Sequence, residues 1–209
     1  MNKPEPPSSN PPDMEEPDSL EIDRLIALAR RGDETAFGQV VQVYYNRVYN
    51  VIYRVVNHAE DARELSQAAW VKAWQRLADY KEEARFYTWV YRIAVNTALD
   101  FLRRKKRRPE DPLEPVVRDG AEPIALDTRR ELADERTPLD DLHRAEIRAA
   151  FDRALLDLSA EHRTALVLRE LEGMSYEEIA RVMKVRTGTV MSRLFYARKT
   201  LQQALGKFL

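Results

Sequence analysis

Apolar residues recur along this chain at helical spacing, and no run of useful length alternates as a strand would. Leu20, Ile22, Leu25, Ile26 and Leu28 predict a first helix from Ser19 to Arg31, with Gly32 in the stop position. Asp33 caps a second helix, whose inward set is Phe37, Val40, Val41, Tyr44, Val48, Ile52, Val55 and Val56. Asn57 and His58 mark its end. A third helix from Ala59 to Leu77 turns Ala62, Leu65, Ala69, Ala73 and Leu77 inward, with Trp70 and Trp74 in the core or at its edge. The loop Ala78 to Arg85 leads to a fourth, Phe86 to Arg107, with Trp89, Val90, Ile93, Ala94, Thr97, Phe101 and Leu102 facing in.

The periodicity resumes near Leu139. Thr137 and Pro138 supply the cap and first-turn proline of a fifth helix to Leu156, and Ser159 caps a sixth from Ala160 to Leu171 that Gly173 stops. Ser175 and Glu178 form a capping box ahead of Ile179, Ala180, Val182 and Met183, so a short helix ends near Met183. After a break at Lys184 to Thr187, Val190, Leu194, Ala197 and Leu201 make one buried stripe on a last helix. Two short helices, a tight turn and small Ala180 at their crossing read as a helix-turn-helix.

With that stripe inward, at 100° per residue, Gly188, Ser192, Phe195, Tyr196 and Lys199 lie outward, with Thr189 and Met191 at the edges. Hydroxyls bond base edges or phosphates, an aromatic lies against a thymine methyl, and Arg186, Arg193, Arg198 and Lys199 reach phosphates. A solvated helical hairpin is the plainer alternative, but an exposed Phe195 among basic and hydroxyl residues suits it poorly.

The helical pattern is interrupted twice. Met1 to Pro17 holds six prolines among Ser, Asn and acids, and cannot bury enough apolar surface to offset the entropy of ordering. Pro109 to Pro138 holds five prolines, many acids and no sustained apolar period, which predicts a flexible linker. The expected organisation is all-α: a disordered tail over 1–18, a helical domain over 19–108, an acidic linker over 109–138 and a second helical domain with the helix-turn-helix over 139–209.

Charge follows the same division. Lys and Arg against Asp and Glu number 1 and 7 in residues 1–23, 17 and 9 in 24–108, 4 and 11 in 109–141, and 12 and 8 in 142–209. Basic modules alternating with acidic segments suit contact with a polyanion. Six consecutive cations, Arg103 to Arg108, exceed what a helix C-terminus needs and point to phosphates or an acidic partner.

Catalysis finds no support. His58, His143 and His162 are scattered without ligand spacing, the six glycines are isolated, and the chain has no cysteine. Neither a cofactor nor a metal is expected. With no long apolar run and no signal-peptide core, a soluble cytoplasmic chain is expected.

Two blocks carry a resemblance. DARELSQAAWVKAWQRLADY with FYTWVYRIAVNTALDFLRR resembles the second conserved region of the extracytoplasmic-function sigma factors of bacterial RNA polymerase, closest to the sigma-E type. LRELEGMSYEEIARVMKVRTGTVMSRLFYARKTL resembles their fourth region. The resemblance implies a promoter-recognition subunit without catalytic activity, which binds core polymerase and is nucleoid-associated within the holoenzyme. It implies that Asp61, Glu64, Leu65 and Gln67 contact the clamp helices of the largest polymerase subunit. Tyr80, Lys81, Arg85 and Asn96 would serve the −10 element, and Arg169, Arg186, Thr189, Met191, Ser192, Phe195, Tyr196 and Lys199 the −35 element. An anti-sigma factor is an implied partner.

The chain departs from the family pattern at several positions. Met191 and Tyr196 stand where arginine is usual, Lys184 replaces a glycine at the turn, Glu82 and Ala84 replace Gly and Ser in the −10 loop, and Ala68 replaces an acid. A free-standing repressor and an acid-binding adaptor are the competing readings, but no dimerising element or effector pocket supports the former, and neither accounts for the first block.

Overall fold

The computed structural model describes residues 19–81, 85–107, 150–151 and 153–206. Described residues of the first module form α1 (Ser19–Ala29), α2 (Glu34–Val56), α3 (Ala59–Gln75), a 3₁₀ turn (Leu77–Asp79) and α4 (Phe86–Arg107). The second module comprises the described part of α5 (150–151 and 153–157), then α6 (Ala160–Glu170), α7 (Tyr176–Met183) and α8 (Thr187–Leu205). The expected tail, the linker, Arg108, Glu82, Ala84 and the start of the fifth helix lie outside the described residues.

Helix boundaries follow the caps. Asp33 accepts from the Ala36 N–H at 3.0 Å, and His58 Nδ1 accepts from the Asp61 N–H at 3.2 Å. Asn57 ends α2 in the left-handed region, which asparagine tolerates. Two predicted ends shift. Helix α1 stops at Ala29, because the Arg31 and Gly32 N–H groups bond to Leu28 and Ala29 in a tightened turn that Gly32 closes at φ 96°. Helix α3 stops at Gln75 and leaves Leu77 to a 3₁₀ turn that still buries it.

In the first module α2 is central, and Val40, Val48, Val51, Ile52 and Val55 are completely buried along it. Each contributes roughly 1.5–3 kcal/mol by leaving water. Phe37 meets Trp70 edge-on at 6.0 Å and Trp74 at 4.9 Å, which places both tryptophans in the core and its margin as expected. In the second module Leu168, Met174, Ile179, Val190 and Leu194 are buried in the apolar core that the two modules share, with Ala180 also buried.

The turn between α7 and α8 needs a left-handed residue, and Lys184 supplies it at φ 54°, ψ 48°. Its N–H and that of Val185 both return to the Ala180 carbonyl, which anchors the bend.

The two modules pack against each other, α4 on α7 and α2 on α6. Tyr91 of α4, 1% exposed, donates its hydroxyl to the Glu172 carboxylate at 2.6 Å. Tyr87 and Thr88 donate to Glu178 at 3.3 and 3.4 Å. Asn96 donates its side-chain amide to the Val182 carbonyl at 2.9 Å, and Arg163 donates to the Val55 carbonyl at 3.2 Å. Both carbonyls lie in the last turn of a helix, where no intrahelical donor is available. Each module thus caps a helix of the other.

Burial pushes the Glu172 carboxyl above its usual range, against the opposing effects of the Tyr91 hydroxyl, Arg47 and Arg54. Burial also raises the Tyr91 phenol well above its ordinary value, so tyrosine stays the donor.

Two expectations follow for stability. Lys184→Gly relieves the left-handed strain at the turn, and after the added flexibility of the unfolded chain should raise unfolding free energy by about 1 kcal/mol. A higher urea midpoint at unchanged slope checks this. For Glu172, a raised folded-state value means that the native state binds the proton more tightly than the unfolded chain does. Its contribution therefore improves as pH falls through the raised value and is least favourable above it. Glu172→Gln, which mimics the neutral form, should raise the thermal midpoint at pH 7.5 and lose that advantage as the pH drops below the raised value. An advantage that grew on acidification would reverse the assignment.

Candidate nucleic-acid interface

Helix α8 sorts its residues by face. Val190, Leu194 and Ala197 are buried with Leu201 partly so, while Met191, Phe195 and Tyr196 are 54%, 63% and 58% exposed on the opposite side. Ser192 and Lys199 share that exposed face, Arg186 stands exposed at its N-terminal end, and Thr189 is half-buried at its edge. The helix thus brings together seven of the eight predicted −35 residues. Phe195 and Tyr196 meet edge to face at 5.5 Å, and Tyr196 meets the His162 ring of α6 at 6.3 Å.

Arg169 lies apart. It donates to the Met174 carbonyl at 2.8 Å and lies over the Tyr176 ring at 5.1 Å, so it braces the α6–α7 connection. Arg198, expected to reach phosphates, instead pairs with Glu170 at 2.6 Å across to α6. Arg193 is half-buried with its guanidinium against the Met183 sulfur.

Residues predicted for the −10 element separate into three settings. Lys81 and Arg85 are exposed on either side of the undescribed tip of their loop. Tyr80 is 5% exposed and packs against Phe86 and Trp89 at 5.4 and 5.5 Å, so its ring anchors the loop from the core rather than facing outward. Asn96 is partly buried, and its amide nitrogen donates to the Arg92 carbonyl as well as to Val182.

On α3, Glu64 and Gln67 are exposed and Asp61 is partly so, whereas Leu65 is 7% exposed and belongs to the core. Leu65 supports this face from behind, because its position on the inward stripe removes its side chain from the surface. Lys105 of the cation run approaches Asp61 at 3.5 Å, and Arg103 pairs with Asp100 at 3.0 Å. The run therefore touches the acidic end of the α3 face. Sequence reasoning missed Tyr91, Glu172 and Lys105 as contacts. An inward tyrosine in FYTWVYRIAVNTA signals a need for a buried hydroxyl partner, though nothing in the chain names Glu172.

Residues 40–108 match the family model for sigma-70 region 2, and residues 148–201 match the model for sigma-70 region 4. The chain is 40% identical to the RNA polymerase sigma-H factor of Pseudomonas aeruginosa, over 87% of this chain and 92% of that one. It is 37% identical to the ECF RNA polymerase sigma-E factor of Haemophilus influenzae, over 87% and 93%. Two solved structures share the fold: CnrH in complex with the cytosolic domain of CnrY, at TM-score 0.59 and 23% identity over 91% and 99% of the chains, and the sigma factor RpoE with the anti-sigma factor NepR from Bartonella quintana, at TM-score 0.62 and 24% identity over 81% and 96%. With both conserved regions present in order and relatives of this identity over nearly nine-tenths of its length, the chain belongs to the extracytoplasmic-function sigma factors of the sigma-70 family.

Proposed function

We propose that this chain binds core RNA polymerase through the outer face of α3 and directs it to promoters by reading two elements, the −10 element with the first module and the −35 element with α8. It is an initiation factor and not an enzyme. The observation that carries the reading is the exposed row Met191, Phe195 and Tyr196 on the last helix of a helix-turn-helix, opposite the buried Val190, Leu194 and Ala197. Large apolar side chains left in water on a helix flanked by Arg186 and Lys199 fit a groove that offers thymine methyls and phosphates.

In this reading Glu64 and Gln67, with Asp61, meet the polymerase clamp, and the supports are their exposure and the family match. Lys81 and Arg85 contact −10 phosphates, while Asn96 holds an extruded base by hydrogen bonds. Tyr80 serves by anchoring the loop. Arg186 and Lys199 engage −35 phosphates, and Ser192 and Thr189 offer hydroxyls. Arg169 contributes by holding the helix-turn-helix in shape, with its remaining donors toward DNA. The domain limits 19–108 and 139–209 follow the same division. An anti-sigma factor is the proposed regulator, supported by the fold shared with a sigma factor solved in such a complex. The chain works in the cytoplasm and joins the nucleoid within the holoenzyme.

Reconstitution tests the whole: purified chain with core polymerase should produce transcript from a cognate promoter, and neither component alone should do so. A repressor would bind DNA without polymerase and yield none.

Two finer outcomes are expected. Replacing Arg103 to Arg108 with Gln should flatten the salt dependence of promoter binding by the holoenzyme, by about one unit of slope for each phosphate no longer neutralised. An unchanged slope assigns the run to helix capping and to its pairing with Asp61. Met191→Arg with Tyr196→Arg should tighten binding to all promoters through charge. It should also shift the −35 sequence selected from a randomised promoter library toward guanine, because each bidentate arginine pair gives roughly 1–3 kcal/mol of discrimination. The −10 preference should stay constant. An unaltered −35 sequence would remove α8's outer face as the base-reading surface.

A further inference from the structure

We propose that His162 of α6 is a further specificity-determining residue of the −35 interface, a positioning residue that fixes the Tyr196 ring of α8 in the orientation from which it meets a thymine methyl. This rests on the reading of the outer face of α8 as the −35 surface given above.

The support begins in the first turn of α6. Ser159 caps that helix by accepting from the His162 N–H at 3.3 Å, and the same hydroxyl lies 2.7 Å from His162 Nδ1. A serine hydroxyl has one hydrogen and two lone pairs, so it can donate to a bare Nδ1 or accept from a protonated one while still accepting from the N–H. The imidazole is therefore held in place whichever ring nitrogen carries the proton. Its base is fixed as well, because the neighbouring Arg163 guanidinium donates to the Leu156 and Leu158 carbonyls at 3.2 and 3.1 Å and ties the start of α6 to the chain just before its cap.

From that anchored position the His162 ring meets Tyr196 at 6.3 Å with the planes 74° apart, and Phe195 meets Tyr196 at 5.5 Å and 78°. Both are the edge-to-face geometry that aromatic pairs favour. An aromatic side chain on a helix has two orientations open to it about its first bond, with χ1 about 180° or about −60°. Tyr196 is 58% exposed, so the buried core does not choose between them, and contact with the His162 ring does. Tyr196 thus approaches DNA with its ring already oriented, and less ordering is left to the binding step. The gain is realised only at a base whose methyl fits the fixed ring, so it appears as selectivity rather than as affinity for all DNA.

The test is selection by the holoenzyme from promoters randomised in the −35 element with the −10 element held constant, followed by titration of the selected promoter and its one-base variants. Tyr196→Ala should lose the preference for thymine at one position, which identifies the base that this ring reads. His162→Ala should lower discrimination at that same position about two- to tenfold, with the other −35 positions and the thermal midpoint unchanged. His162→Phe keeps a ring edge for Tyr196 and should retain the selectivity. In the Tyr196→Ala background His162→Ala should change nothing further, whereas a merely structural role would weaken binding to every promoter in both backgrounds. The proposal is overturned if His162→Ala selects the wild-type sequence while Tyr196→Ala does not, if His162→Ala weakens all promoters alike in both backgrounds, or if His162→Phe is as unselective as His162→Ala. A Tyr196→Ala chain that selects the wild-type sequence overturns it too, and in that case the reading of Tyr196 as a base contact fails with it.

Discussion

Helix ends that cannot satisfy themselves are the constraint on which the relation of the two modules depends. The carbonyls of Val55 and Val182 each fall in a final helical turn, and each takes its donor from the other module: Arg163 for the first, Asn96 for the second. Between these reciprocal caps run the Tyr91–Glu172 and Tyr87–Thr88–Glu178 contacts. These polar contacts accompany an apolar core that continues from one module into the other. Water can replace each of these hydrogen bonds when the modules part, whereas it could not replace the packing around Ile52 or Leu194.

Glu178 shows how closely the helix-turn-helix and the seam are joined. Burial works against its charge, yet the Ser175 N–H and hydroxyl, with the Tyr87 hydroxyl and nearby Arg181, hold its carboxyl below the usual range. One side chain both closes the capping box of α7 and receives α4. Helix α7 is therefore held by contacts that begin in the other module. On its far side, Arg169 over Tyr176 and the Arg198–Glu170 pair tie α6 to α7 and α8. Those arginines brace the fold, while Arg186 and Lys199 carry exposed charge beside Phe195 and Tyr196.

An initiation factor needs surfaces, not a reaction centre, and its specificity is a matter of which side chains face a groove. In the proposed reading, Met191 and Tyr196 offer such a groove a thioether and a phenol where the resembled family usually offers guanidinium, above the buried stripe of Val190, Leu194 and Ala197.

The helices, their order and the outer face of α8 were legible in the sequence, because a 3.6-residue apolar period and local caps such as Asp33, Ser159 and the Ser175–Glu178 box act within a few residues of chain. The family followed from long strings that needed no folding to be read. Side-chain roles that depend on distant partners were not legible. Tyr80 became core, Arg198 became a brace and Lys105 met Asp61, since each outcome depends on what another helix places alongside. The left-handed Lys184 lay between these cases: the sequence identified the strained position, and only the geometry decided that lysine accepts it. The closed seam was wholly a tertiary result. Tyr91 and Glu172 are 81 residues apart, and no local pattern pairs a buried phenol with one carboxylate among many.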